Sequence, residues 1–308
     1  MADDAIKMAR RWFAEELRHT ACLQSPAVVE AFATVPREHF VGPGPWHILS
    51  PARLAEYWTT ADADARHLYH DVLVAIDEAR RINNGQPSLW AHLYDELQLA
   101  EGARVVHVGA GLGYYSAILA EIVGSTGHIT ALEIDPPLAA RARENLALSW
   151  PQATVVTADG FTFRPDGPPD AIIVNAGVSH LSLAWLDSLA AENGRLLVPL
   201  TDADGVGAFL LITRRASETS RYRARLVSRT GIIGCVGGRD DKAEARLADA
   251  LARADFSVIQ SLRRPPEDPD DTCWLAGDGW WLSTEPVPPS SAEVTFDDLP
   301  PVARQRPT

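Results

Sequence analysis

The sequence predicts an α/β protein whose mostly parallel sheet is covered by helices on both faces. An antiparallel edge, a helical region ahead of the sheet and a smaller extension behind it complete the expectation. Three observations carry it. From Arg104 to Leu200, short β-branched runs alternate with Ala/Leu-rich helical patterns, the rhythm of parallel strands joined by crossover helices. The first run, Val105-Val106-His107-Val108, opens onto a turn with Gly109, Gly111 and Gly113 and then a helix. A second run, His128 to Glu133, ends in an acid, close to where a ribose-binding carboxylate stands in a nucleotide-binding α/β unit.

Each observation has a physical meaning. Glycines are needed where the backbone must turn sharply and approach a ligand without a Cβ in the way. The helix that follows presents free N–H groups and a positive dipole end to whatever sits in the turn. A lone glycine-rich turn is a weak signal; the downstream acid makes it a candidate nucleoside-cofactor site.

The elements follow in order. Ala5 to Leu17 reads as an amphipathic helix, with Ile6, Ala9, Phe13 and Leu17 on one side. Ser25 as N-cap and Pro26 at the first position open a second helix with Val28, Val29, Ala31 and Phe32 inward. The breaker run Gly42 to Pro45 closes the next stretch, and residues 46–80 read as helices and loop with an acidic, histidine-bearing patch from Asp62 to Asp71. Arg80 to Pro87 is a polar loop, followed by a helix with Leu89, Trp90, Leu93 and Leu97 on one side. Beyond Glu133, Asp135 and Pro136 start a helix; Ala153 to Thr157, Asp170 to Val174 and Gly194 to Leu200 are further strands. Ala208 to Thr213 and Arg223 to Arg229 are expected to pair antiparallel at the sheet edge. A helix from Lys242 to Arg253 and a strand from Phe256 to Leu262 come next, and residues 285–308, rich in Pro and polar groups, read as a disordered tail. The divisions expected are an N-terminal helical region (1–82), a cofactor-binding core (83–237) and a C-terminal extension (238–308).

Composition narrows the classes. Of 308 residues, 46% are hydrophobic and 22% charged, enough for a large core. A formal net charge of −13 opposes a nucleic-acid partner, since phosphate binding needs a basic face. Cys22, Cys235 and Cys273 are far apart and read as reduced thiols rather than a disulfide framework. The start, MADDAIKMARRWF, lacks a signal-peptide pattern, and no apolar run approaches the roughly 18 residues of a membrane span. The expectation is a soluble, cytoplasmic protein without membrane partners.

At this point the sequence resembles the protein-L-isoaspartate O-methyltransferases, members of the class I S-adenosylmethionine-dependent methyltransferases with a Rossmann-like sheet. The matching segments are VPREHFV (35–41), NNGQPSLWA (83–91), VVHVGAGLGYYSAILAEIVG (105–124), TALEID (130–135), ADGF (158–161), DAIIVNAG (170–177) and GRLLVPL (194–200). The resemblance implies S-adenosyl-L-methionine as cofactor and methyl transfer to a carboxylate of a peptide or protein. It implies that Gly109, Gly111 and Gly113 lie beside the methionine part, that Glu133 takes the ribose hydroxyls and that Asp159 and Gly160 lie near the adenine. Two departures stand out. His107 occupies the place of a family acid, which makes it a candidate cofactor-site residue, a hydrogen-bonded pocket or core histidine rather than a base, and implies that the cofactor's amino group is held differently. Gly85 occupies the place of a family Ser that works near the substrate carboxylate, which bears on general isoaspartate repair and leaves methyl transfer standing.

A carboxylate is already ionised at neutral pH, so its methylation depends mainly on alignment. The expected donors around the acceptor are Asn83, Asn84 and Ser88, with Arg37, Arg80 and Arg81 as candidate positive charges and Asn175 on the pocket floor. For Ser88 the competing reading is the N-cap of the next helix; for the arginines, pairing with nearby acids. His39, His67, His70, His92 and His180 show no metal-ligand spacing, and no metal is expected. Two other readings compete: a small-molecule O- or N-methyltransferase, and a non-catalytic cofactor-binding module.

Overall fold

The computed structural model describes residues 2–50, 53–215 and 219–288. The chain starts with three helices: α1 (Ala2–Thr20), α2 (Pro26–Thr34) and α3 (Arg37–Val41). α2 begins as the sequence predicts, with Ser25 Oγ accepting the Val28 N–H at 3.4 Å and Pro26 at the first position. Its Val28, Val29, Ala31 and Phe32 are buried against the core that also takes Phe13 and Leu17 of α1.

Residues 46–80 depart from expectation. In place of helices and loop the chain makes β1 (His47–Ser50), β2 (Arg53–Thr59) and β3 (Leu73–Asp77), joined by the short β4 (Ile82–Asn83). These four strands form an antiparallel sheet in the order β2-β1-β3-β4. Its own core is small: Trp46, Ile48, Leu68 and Val74. Strands so short, flanked by acidic and histidine-rich turns, leave too little alternation to register as a β pattern.

α4 (Pro87–Leu97), β5 (Arg104–Val108), α5 (Tyr114–Val123), β6 (His128–Glu133), α6 (Pro136–Leu146), β7 (Ala153–Thr157), β8 (Ala171–Val174), α7 (Leu183–Ser188) and β9 (Arg195–Thr201) follow the predicted alternation. β7, β6, β5, β8 and β9 are parallel neighbours. All four residues of β8 are buried, as they must be in a strand covered on both faces. One core, under α2, α4, α5 and α6, takes Val105 and Ile173; the other, under α7, takes Val106, Val108, Ile172 and Val174.

β10 (Val206–Arg214) and β11 (Arg221–Gly231) pair antiparallel as expected, but they do not end the sheet. After α8 (Asp241–Arg253) the chain returns as β12 (Ser261–Arg263), β13 (Cys273–Gly277) and β14 (Trp280–Ser283). These give one sheet of 10 strands in the order β13-β14-β12-β11-β10-β9-β8-β5-β6-β7. The strand expected from Phe256 to Leu262 is a 3-10 turn, Phe256–Val258, followed by β12. Trp274 and Trp280 are buried in the second core and Trp281 lies under the Arg263 guanidinium at 5.0 Å, so these rings join the sheet to its neighbours. Of the tail expected at 285–308, residues 289–308 lie outside the described residues; Val287 just before them is buried.

Candidate active site

The crevice forms at the carboxyl ends of β5, β6 and β8. Gly109, Gly111 and Gly113 have φ of +79°, +56° and +90°, the left-handed region that a residue with a Cβ enters only at a cost. Gly111 donates its N–H to Glu133 Oε2 at 2.7 Å, and Asp135 donates its own to Oε1 at 3.0 Å. Glu133 is only 7% exposed. Burial raises its pKa, against the pull of these two N–H groups. An ionised carboxylate offers about four lone-pair sites. Two are engaged here, which leaves acceptors for a vicinal pair of hydroxyls. A Cβ built on Gly111 would find only Ile76 Cδ1 of β3, at 4.0 Å. The turn therefore opens onto free space roofed by the small sheet, a cradle that fits a nucleoside cofactor.

Asp159 follows β7 and accepts the Phe161 N–H at 2.9 Å. Its carboxylate abuts Gly237: a Cβ there would stand 2.9 Å from Oδ2. The segment after β11 thus comes back over the crevice, held by Gly177 N–H to Ile233 O and Cys235 N–H to Gly177 O, both 2.7 Å. Sequence reasoning missed this wall; its signal is the glycine-rich Gly231-Ile232-Ile233-Gly234-Cys235-Val236-Gly237-Gly238 run after a strand. Burial and the nearby Asp159 push the Cys235 thiol up to about 11, so it stays protonated and serves as packing. Gly160 has a packing reason too: a Cβ would lie 2.4 Å from Val108 Cγ1, and its carbonyl accepts the Trp185 indole N–H.

His107 is fully buried, with Nδ1 2.8 Å from Ser116 Oγ on α5. It lies beneath α5 with no exposed surface of its own, as a hydrogen-bonded core histidine does. Burial lowers its pKa to about 4, and Asn175 partly opposes that shift. By strict geometry neither His107 Nε2 nor Asn175 Oδ1 completes a hydrogen bond; the two are close enough to interact without a well-formed bond. Asn175 also donates its N–H to Val108 O at 2.8 Å, and its Cβ would stand 3.4 Å from one built on Gly109.

The residues expected around an acceptor come from β4, the loop after it and the start of α4. Asn83 Oδ1 accepts the Gly85 N–H at 2.8 Å, and its side chain also bonds Tyr57. Asn84, 6% exposed, pairs its backbone with Val74 O, while its Nδ2 is buried with no partner. Ser88 is neither a free donor nor an N-cap. Gln86 holds the cap position, and Ser88 gives both its N–H (2.8 Å) and its hydroxyl (2.7 Å) to Asp71. Asp71, which also takes the Gln86 amide at 3.0 Å, is a residue the sequence did not single out, because its partners lie on a different segment.

The candidate cations are also engaged. Arg37 is fully buried and donates to the carbonyls of Leu68 (2.8 Å), His70 (3.2 Å) and Val72 (2.6 Å). Arg80 is paired with Asp77 and Asp135. Arg81, in the β3–β4 turn, is exposed with φ +57°. Gly85 has φ +69°, and a Cβ on it would meet Trp90 Nε1 at 2.6 Å and Tyr115 Cε2 at 3.1 Å. The position of the family Ser is therefore filled by an indole. A separate cleft of about 540 Å³ between α1 and the Ala65–Leu68 turn, lined by Trp12, His19, Arg66, Tyr69 and His70 among others, shares no residue with the glycine turn and takes no part in this site. Among the described residues, no group of three His, Cys, Asp or Glu side chains is arranged to hold a metal, and no helix is long and apolar enough to cross a membrane.

The sheet order, the glycine cradle and the buried Glu133 define a class I S-adenosylmethionine-dependent methyltransferase. The chain belongs to the protein-L-isoaspartate(D-aspartate) O-methyltransferase family, whose profile matches residues 55–228. It is 34% identical over 181 residues to the protein-L-isoaspartate O-methyltransferase of Ignicoccus hospitalis, covering 58% of this chain and 75% of that one. It is 31% identical to protein-L-isoaspartate O-methyltransferase 1 of Archaeoglobus fulgidus, over 75% of this chain and 95% of that one. In fold it matches a Plasmodium falciparum structure described as a putative protein-L-isoaspartate O-methyltransferase in complex with S-adenosyl-L-homocysteine: TM-score 0.56, 19% identity, 73% of this chain and 97% of that one.

Proposed function

We propose that the protein transfers the methyl group of S-adenosyl-L-methionine to the side-chain carboxylate of an isoaspartyl residue in a peptide or protein. The cofactor would be held by Gly109, Gly111 and Gly113, by Glu133 at the ribose, by Asp159 and Gly160 near the adenine, and by Asn175 on the floor. When bound it supplies an activated methyl on a sulfonium. Glu133 serves as a fixed acceptor, its two oxygens oriented by the Gly111 and Asp135 N–H groups. Asn83 ends β4 and Asn84 follows it, and amide donors there suit an anionic acceptor. Ser88 supports that loop through Asp71 rather than touching the acceptor. No general base is required, because the carboxylate is ionised at neutral pH, and alignment can supply most of the acceleration.

The observation that carries this reading is the roof. The small sheet sets Ile76 over Gly111, and Asn84, the residue after β4, is tied to the same sheet through its N–H to Val74 O. A net charge of −13 supports a protein acceptor over a nucleic acid. The free Cys22, Cys235 and Cys273 suit a reducing cytoplasm. Incubation with methyl-labelled cofactor and an isoaspartyl peptide, beside its aspartyl twin, tests the proposal. Base-labile label, released as methanol from the isoaspartyl peptide, is expected. Base-stable label would exclude carboxyl transfer, and label on the aspartyl twin alone would move the acceptor.

A further inference from the structure

An acceptor carboxylate beside the glycine turn needs hydrogen-bond donors, and most of the nearby ones already have partners. The Ser88 hydroxyl goes to Asp71, the Arg37 guanidinium to three carbonyls, and Arg80 to two carboxylates. Tyr115 gives its hydroxyl to Gly85 O at 3.3 Å. Arg37 Nε, Tyr94 Oη and Tyr114 Oη are buried without partners too; two further donors stand on or against the loop of Asn84 and Gly85. Asn84 Nδ2 is buried without a partner. The indole N–H of Trp90, a residue 3% exposed, makes no hydrogen bond among the described residues, and unlike Asn84 Nδ2 its Nε1 is not wholly buried, so it keeps some access to solvent.

A buried indole commonly finds a partner for its N–H, and here Trp280, 3% exposed and packed against Gly277, is the other buried Trp without one among the described residues. Trp46, Trp150, Trp185, Trp274 and Trp281 all donate theirs to a carbonyl or carboxylate. Position makes it informative. Trp90 Nε1 is the atom nearest to a Cβ built on Gly85, at 2.6 Å, so it stands where a side chain on the acceptor loop would begin. Its ring is 5.5 Å from that of Tyr115 and 5.5 Å from that of Phe209. Tyr115 belongs to the first turn of the helix that starts at Gly113. The indole is thus clamped in one orientation next to the glycine turn.

We infer that Trp90 directly binds the acceptor, its indole N–H donating to the carboxylate that is methylated. Gly85 is the complement of this arrangement, since only a residue without a Cβ leaves room for the ring edge. A rigid planar donor of this kind admits a carboxylate on an extended, accessible chain segment and fixes one oxygen toward the methyl donor. The inference rests on the proposed carboxyl transfer.

The test is Trp90→Phe, which keeps an aromatic ring and removes the N–H. kcat/KM toward an isoaspartyl peptide is expected to fall roughly ten- to a hundredfold, the range for a hydrogen bond to a charged group, with S-adenosyl-L-homocysteine affinity unchanged. In the wild-type protein saturated with S-adenosyl-L-homocysteine, the ¹H–¹⁵N resonance of the Trp90 indole is expected to shift when the peptide is added. This second measurement decides the matter even if the variant does not fold. Wild-type turnover with an unmoved indole resonance, or with Trp90→Phe as active as wild type, overturns the role of Trp90 alone. A wild-type protein that methylates no carboxylate overturns the underlying reading as well.

Discussion

Arg80, in the turn between β3 and β4, is ion-paired both with Asp77 on its own strand and with Asp135, the residue that caps α6. Asp135 in turn donates its N–H to Glu133 Oε1. The small sheet is therefore latched to the residues that shape the ribose end of the crevice. The Arg80 guanidinium and the Leu138 N–H hold the Asp135 carboxyl below the usual carboxylate range.

Breaking this latch should loosen the roof more than the fold. Arg80 is half exposed, and exposed pairs contribute little to stability. Arg80→Ala is expected to weaken S-adenosyl-L-homocysteine binding by about two- to fivefold, in keeping with an exposed ion pair. Added salt should weaken the wild-type protein toward the same value. Calorimetric titration at low and high ionic strength reads both effects. Equal affinities at low salt would show that the latch does not couple to the crevice.

Glu133 links cofactor binding to pH. Its folded-state pKa is raised above the ordinary 4.5, first by burial. A raised folded pKa means the contribution to stability is present below 4.5 and is lost as pH rises through the folded value. The affinity for cofactor should run the other way, because the ionised form is the one that accepts hydroxyl donors. As pH falls toward 4.5, cofactor affinity is expected to fall, while Glu133's own contribution to unliganded stability grows and offsets part of the larger loss from His107. Glu133→Gln should bind S-adenosyl-L-homocysteine roughly ten- to a hundredfold more weakly, since its amide turns a donor toward the Gly111 or Asp135 N–H. Equilibrium dialysis across this range checks the affinity, and urea unfolding of the wild type against Glu133→Gln isolates the stability contribution.

Arg37 is a structural residue, and its substitution should show as unfolding before it shows as lost chemistry. Three carbonyls of residues 68–72 depend on its guanidinium, and Asp71 within that segment holds Ser88 and Gln86. Arg37→Met would leave buried acceptors unpaired at a cost of roughly 3–5 kcal/mol. A clearly lower midpoint in urea is expected, with kcat following the folded fraction. An unchanged midpoint beside a lost kcat would return Arg37 to the acceptor site.

The parallel half of the sheet is legible in the sequence because each strand is a buried apolar run ending at a turn with its own chemistry: glycines after Val108, Glu133 before Asp135, Asp159-Gly160 after β7. The roof is not legible. β1 and β3 are only four and five residues long and show no in-out alternation, and Leu68, Trp46 and Val74 form their core only after the chain has folded back. β12 is three residues long, too short for any periodicity to show. The same limit applies to the site. Ser88 looks free until Asp71 arrives from another segment, and Gly85 looks like a lost side chain until Trp90, one turn into α4, fills the space.

His107 should make the fold acid-sensitive in a window set by its own titration. In the unfolded chain an imidazole protonates near its ordinary 6.5; in the fold, burial lowers that to about 4. A depressed folded value means the stabilising contribution is present above 6.5 and is lost progressively as pH falls toward 4, because the unfolded state takes up the proton first. The full loss is about 3 kcal/mol at the conversion of 1.36 kcal/mol per unit. Carboxylates held below their usual range, such as Asp135, add their own loss only at lower pH. His107→Gln keeps a polar partner for Ser116 and removes the titration. Unfolding free energies from urea titrations between pH 7 and 4.5, the ordinary value for Glu, are expected to fall steeply for the wild type and much less for the variant. Identical slopes would mean that His107 is protonated in the folded protein, and that Asn175 accepts from it a full hydrogen bond.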